Sequence, residues 1–264
     1  MKVKCKWLAF LLPLTIALVT LSGCGFVTKL RARDNLNKGV KAFTEQKYEQ
    51  AAGFFEKAIQ LDPDFEVARM YLATTYTSQF VPGSPDPRSK EMAEKAISTF
   101  KDVLASNPNN PNENAMLSIA SLYYQLKDYA NSKEWCQKIL QRNPNNAEAY
   151  YRIAVMDFDY SLSKTGLQGE NVEFMSPEEK TQTVADIDEG LKSVDKALEI
   201  RPDYFDAMEY QNLLWREKAK FEKDEKAKAE LIRQADLVAQ KALALRLKAE
   251  EEEAKKPKKL ATSK

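Results

Sequence analysis

Histidine is absent from all 264 residues. Histidine is the usual general base near neutral pH and the commonest metal ligand. A Ser/His/Asp triad, a Cys/His dyad and any zinc site that uses imidazole are therefore excluded. Cysteine is scarce as well: of three, Cys5 and Cys24 fall in the first 25 residues and Cys136 lies among helical apolar positions. A lone interior thiol has no intramolecular disulfide partner, so Cys136 reads as a small buried apolar side chain. Glycine and proline are few, 8 and 11. Runs rich in Val, Ile and Thr with period two are missing, whereas apolar residues recur three and four apart almost everywhere after residue 34. These absences predict an all-α chain with almost no sheet and no cofactor or metal.

What is present begins with an address. Lys2, Lys4 and Lys6 precede an uncharged run from Trp7 to Leu21, too short for a comfortable membrane span and typical of an export signal. Leu21-Ser22-Gly23-Cys24 then resembles the lipobox of bacterial lipoproteins. That resemblance implies cleavage before Cys24, diacylglyceryl transfer to its thiol and acylation of the new amino terminus. A plain secretory signal or an uncleaved anchor would share the charged and apolar parts. Gly25 follows the cysteine where the enterobacterial inner-membrane retention pattern has Asp. The expectation is therefore an outer-membrane lipoprotein facing the periplasm, its acyl chains holding it on the bilayer. Without the three lysines of residues 1–23, the 40 basic residues become 37 against 39 acidic ones, a formal charge of −2. That balance gives no reason to expect nucleic acid as a partner.

One phrase recurs along the body: EKAIQLDPDF, KDVLASNPNN, QKILQRNPNN, DKALEIRPDY and the weaker QKALALRLKA. Each of the first four is a helix end, a polar residue, and a proline that cannot continue the helix. Asp64, Asn109, Asn110, Asn145, Asn146 and Asp203 follow as candidates to cap the next helix. The chain resembles the tetratricopeptide repeat family, with its unit of about 34 residues. Gly39, Tyr48, Ala51, Phe55, Ala58 and Pro63 stand in register in the first repeat; Ala73, Ala96, Phe100 and Pro108 in the second; Ala120, Tyr123, Cys136 and Pro144 in the third; Ala154, Gly190, Ala197 and Pro202 in the fourth. Asp157 stands where the family has tyrosine. The resemblance implies a right-handed superhelical solenoid of about five helix pairs. Small residues let paired helices approach, and Phe55, Phe100, Tyr76, Tyr123 and Tyr150 are expected in the core.

On this reading residues 1–23 are the signal, 24–32 a tether, 33–249 the array and 250–264 a charged tail. Repeats lie near 33–65, 66–110, 113–146, 147–204 and 205–249. The closing prolines are separated by 45, 36 and 58 residues, which places insertions near 80–92 and 161–180, with a further one near 222–230. Such insertions are either functional or tolerated surface loops. Ser176-Pro177-Glu178-Glu179 reads as a helix start. Leu231, Ala235, Val238, Ala242 and Leu245 make one apolar stripe, predicting a polar-backed capping helix. In the tail, Glu251 is placed to pair with Lys255 and Glu252 with Lys256.

In the family the first helix of each pair lines a concave groove. Carried over, the groove places include Thr74, Thr77, Ser121, Tyr124, Tyr151 and Phe158, with Ser78, Leu117, Gln125 and Val155 beside them. This aromatic and polar surface suits an extended or helical peptide. Leu36 and Val40 occupy the places where some members clamp a terminal carboxylate, so no such clamp is expected. The resemblance implies a lipid-anchored scaffold, not an enzyme, that binds a protein or peptide of the cell envelope; a narrower form is an assembly factor for an outer-membrane barrel or secretin. Two alternatives remain: a spacer without a ligand, and a hydrolase working with Asp157, Asp159 and Glu170. Lys133 is expected to face solvent.

Overall fold

The computed structural model describes residues 8–255, with side chains from residue 25 onward. Among them are ten α-helices, one short 3-10 turn and no strand. The signal and lipobox side chains, Cys24 included, lie outside the described set, as does Lys256. The helices divide into two compact units, one up to Lys127 and one from Asp128.

The first unit holds α1 (Leu8–Thr44), α2 (Tyr48–Leu61), α3 (Glu66–Thr77), α4 (Pro87–Ser106) and α5 (Glu113–Gln125). Its core gathers Ala42, Ala51, Ala52, Phe55 and Leu72, with Leu36, Val40 and Tyr71 packed against them. Gly39 is what lets α1 close on α2. A β-carbon there would stand under 3.0 Å from three ring carbons of Phe55, so any other residue would push the helices apart. Leu36 and Val40 are thus packing residues.

The insertion in the second repeat is shorter as a loop than the span 80–92 suggests. Asp86 accepts from the Arg88 amide at 3.0 Å and Pro87 takes the first helical place, so α4 starts there and absorbs residues 87–92. The remaining loop is pinned from behind: the buried Ser89 hydroxyl donates to the Val81 carbonyl (2.9 Å) and accepts from the Val81 amide (2.8 Å).

The second unit holds α6 (Tyr129–Arg142), α7 (Ala147–Thr165), a 3-10 turn (Val172–Phe174), α8 (Pro177–Ile200), α9 (Phe205–Ala219) and α10 (Glu225–Lys255). Ala154, Ile187, Leu191, Val194, Ala197, Tyr204, Ala207 and Leu214 form its main core. Gly190 permits close packing here, since a β-carbon would lie 3.0 Å from Asp157 Cβ and 3.1 Å from both Leu214 methyls. Both long insertions of this unit are partly helical: α7 runs on through Thr165, and α10 begins at Glu225. Ser176 and Glu179 form a reciprocal capping box at the start of α8.

Three expectations need correction. Of the joint residues proposed as caps, Asn146 does cap, accepting from the Ala149 amide at 2.7 Å. Helix α5 is instead capped by Asn112, and α3 and α9 start at Phe65 and Tyr204 without a side-chain cap. Phe55 and Phe100 are buried, but Tyr76, Tyr123 and Tyr150 are only half-buried. A phenol keeps its tip where a polar partner exists: Tyr76 donates to Glu56 (2.9 Å) and Tyr123 accepts from Lys101 (3.1 Å). Finally, α10 buries Ala235 and Ala242 of the expected stripe and half-buries Leu231, Val238 and Leu245, but it is not polar behind the stripe, because Leu237, Leu243 and Leu247 are about half exposed.

Candidate functional site

The groove residues fall in both units, and each set stands by itself. In the first unit, the hydroxyls of Thr74 and Thr77 donate to the carbonyls of Met70 (2.8 Å) and Ala73 (2.9 Å) one turn back, a bond that spends the donor within its own helix. Ser121 accepts from Gln125 at 3.4 Å, and Tyr124 is half-buried on α5.

The second unit is more organised. Tyr151 and Phe158 are seven residues apart on α7 and so share a face. Helix α9 brings Tyr210 between them: ring centroids lie 5.5 Å from Tyr151 and 5.7 Å from Phe158, both edge to face. Tyr204, at the start of α9, closes the row at 5.0 Å from Tyr151. The result is a ladder, Tyr204, Tyr151, Tyr210 and Phe158, in which Tyr204 is buried and the other three are half-buried. Edge-to-face pairs of this kind contribute about 0.5–1.5 kcal/mol each beyond area burial, so the ladder is stiff before any ligand arrives.

Polar groups fix its closed end. The Tyr204 hydroxyl donates to Glu148 Oε2 at 2.6 Å, Arg152 pairs with the same carboxylate at 2.9 Å, and the Arg201 guanidinium lies over the Tyr204 ring. Burial, then the bond to Glu148, holds the Tyr204 phenol well above its usual range. Tyr151 is raised by burial and next by Tyr210 and Asp206; Tyr210 by burial, then Asp159 and Glu209. All three phenols therefore stay neutral at physiological pH. The face combines aromatic rings, hydroxyls and a fringe of carboxylates at Asp159 and Asp206, an arrangement suited to apolar and cationic side chains. Val155, a groove place by register, is buried and serves as packing.

The insertion after α7 is tied to the far end of α9. Thr165 Oγ1 donates to Glu217 Oε2 (2.8 Å), Lys220 pairs with Glu217, and Lys220 Nζ donates to the Gly166 carbonyl at 2.7 Å. Gly166 and Gly169 take φ of +79° and +83°, where a side chain would be strained. These anchors sit seven residues beyond Phe158, about 10 Å along the helix.

The three carboxylates considered for catalysis are not assembled. Asp157 and Asp159, two apart on a helix, face different ways. Asp157 is buried and accepts from Lys133 at 2.9 Å, and Lys133 also reaches Glu189 at 2.9 Å. Burial, outweighing the Lys133 ammonium, pushes the Asp157 carboxyl up to about 7. Glu170 is exposed on the insertion and accepts from the Gln168 amide. Lys133, expected in solvent, is thus the half-buried bridge between the buried Asp157 and the exposed Glu189. Cys136 is fully buried, and burial pushes its thiol up to about 12. Among the described residues no group of three or more Cys, Asp or Glu is placed to hold a metal ion.

Tetratricopeptide repeat models match residues 35–65 and 89–155. Among solved structures, a crystal structure of the MamA protein superposes with a TM-score of 0.55 at 16% identity, covering 89% of this chain and 98% of that one. MamA residues 41 to the end from Desulfovibrio magneticus RS-1 give 0.55 at 12% identity over 83% and 96% of the two chains. YrrB, described as a TPR protein with an unusual peptide-binding site, gives 0.50 at 18% identity over 82% and 90%. The human protein O-mannosyl-transferase TMTC3 is 27% identical over 130 residues, which is 49% of this chain and 13% of that protein. The fold is an all-α tetratricopeptide-repeat fold.

Proposed function

We propose that this chain is a non-catalytic scaffold, held at a membrane of the bacterial envelope by lipid on Cys24, that binds a peptide segment of another envelope protein along α7 and α9. The observation that carries the reading is the ladder: three aromatic side chains, Tyr151, Tyr210 and Phe158, packed edge to face and half-buried on neighbouring first helices of two repeats. Aromatic faces flanked by carboxylates favour an extended segment that carries apolar and basic side chains. YrrB lends support as a protein of this fold described by its peptide-binding site. An assembly role at an outer-membrane barrel or secretin is one form of this function, and the partner's identity decides it.

The test is recovery of native complexes from solubilised membranes. Tyr210→Ala and Phe158→Ala lose a stoichiometric partner while helical content and membrane attachment persist. Lys192→Ala, on the exposed side of α8, keeps it. Equal recovery from all three variants would remove the ladder from the function. Anchoring is tested separately, by the mass of the Cys24 peptide and by release of Cys24→Ser from membranes.

A further inference from the structure

The turns of α1 just after residue 24, where its described side chains begin, carry exposed apolar side chains that the fold does not use. Phe26 is 66% exposed, Leu30 47% and Val27 44%, although each lies on a continuous helix that buries Ala32 on another side. At 100° per residue Phe26, Val27 and Leu30 share one face, with Lys29 and Arg33 along one flank and Arg31 along the other. All three cations are exposed, and among the described residues no carboxylate pairs with them. Residues 25–33 contain no acid; the first is Asp34, already paired with Lys38 at 2.6 Å.

We infer that residues 25–33 form an interfacial anchor that lies on an anionic phospholipid surface, with Phe26, Val27 and Leu30 in the headgroup boundary and Lys29, Arg31 and Arg33 on lipid phosphates. An apolar face bordered on both sides by cations is what such a surface selects. Charge separates this patch from the exposed apolar pair on the α7–α8 insertion. Leu167 and Phe174 on the insertion are flanked by Glu170, Glu173 and Glu178, which an anionic bilayer repels. Continuity with Cys24 supplies a reason for the site: one lipidated residue followed at once by apolar and basic side chains gives the two signals that stable membrane attachment requires. The inference deepens the anchored-scaffold reading and rests on it for the position of Phe26 near a bilayer.

The experiment places a benzophenone amino acid at Phe26 of the full chain as the cell makes it, reconstituted in vesicles of equal phosphatidylcholine and phosphatidylglycerol. Mass spectrometry of the peptide from Cys24 to Lys29 then reads two things separately, acylation of Cys24 and photo-adducts of phospholipid. The expected result is a lipid adduct enriched in phosphatidylglycerol above its share of the vesicle. The enrichment is lost in Arg31→Gln/Arg33→Gln, since each cation is worth about fivefold in binding to such a surface. A benzophenone at Asn37 gives no lipid adduct. Absence of adduct from Phe26, equal adduct from Asn37, or enrichment unchanged in the double variant would overturn the inference. An unacylated Cys24 with the adduct intact would overturn only the lipid anchor.

Discussion

Lys220→Met isolates the energetics of the clamp that holds the α7–α8 insertion. The Glu217 side chain is 4% exposed and that of Lys220 12%, so the substitution strands a carboxylate in the interior with Thr165 as its remaining donor. Removing one partner of a buried pair costs about 3–5 kcal/mol, because the other charge is left uncompensated. For a chain of this size that is a fall in Tm of roughly 6–20 °C. Replacing both members, Lys220→Met/Glu217→Leu, removes the stranded charge and leaves only the lost neutral-partner bonds, to the Gly166 carbonyl and at the Thr165 hydroxyl, about 1 kcal/mol each. The double variant should therefore be more stable than the single one. Urea unfolding followed by the fluorescence of Trp135 and Trp215, both in the second unit, measures all three chains. A single variant within 1 kcal/mol of the parent, or a double variant no better than the single, would refute the reasoning.

Two glycines on facing helices should respond in opposite directions to the same change. Gly39→Ala overpacks against the Phe55 ring and costs about 1–3 kcal/mol, whereas Gly53→Ala meets nothing within 4 Å and stabilises by about 0.5–1 kcal/mol through helix propensity; paired thermal melts decide both. Ser176→Ala breaks the capping box of α8 and should cost about 1 kcal/mol in the same assay. Asp157 supplies a pH dependence. Its folded carboxyl, pushed up to about 7, titrates above the unfolded value, so it contributes stability that is full below about pH 4 and is lost as pH rises through about 7. The urea midpoint contributed by this group should thus fall between pH 5 and pH 8 in the parent, and that component should vanish in Asp157→Asn. The Cys136 thiol, buried and pushed up to about 12, should react with a thiol reagent only on the timescale of unfolding.

Helix joints were legible because they are written in local chemistry: a proline such as Pro63 or Pro202 ends a helix wherever it sits, and Ser176 with Glu179 announces a start. The loop spans were less legible. Asp86 and Pro87 carry a strong start signal, but it lies inside a run of prolines and glycine that reads as loop throughout. Half of the ladder was readable from repeat register, which pointed to Tyr151 and Phe158. Tyr204 and Tyr210 were missed because Tyr204 sits in a joint, where a turn residue is expected, and Tyr210 lies in the most degenerate repeat. Their Tyr-Phe-Asp-Ala-Met-Glu-Tyr spacing around the start of α9 is the signal that was available. Lys133 was misjudged for a different reason. Its partners, Asp157 and Glu189, stand 24 and 56 residues away, and no local pattern records a pairing made by tertiary packing. The outer leucines of α10 show the same limit: period reveals that a stripe exists, not that the remaining positions are polar.

The central claim is that the ladder on α7 and α9 receives a partner segment. Its most direct measurement is site-specific photo-crosslinking in the native cell from Tyr151 and Phe158, with Lys192 as the exposed control, followed by mass spectrometry of the captured peptides. The account predicts one and the same envelope protein from both ladder positions, crosslinked through a segment with apolar and basic residues, and no such product from Lys192. Capture from Lys192 equal to that from the ladder, or no product from Tyr151 and Phe158, would contradict it.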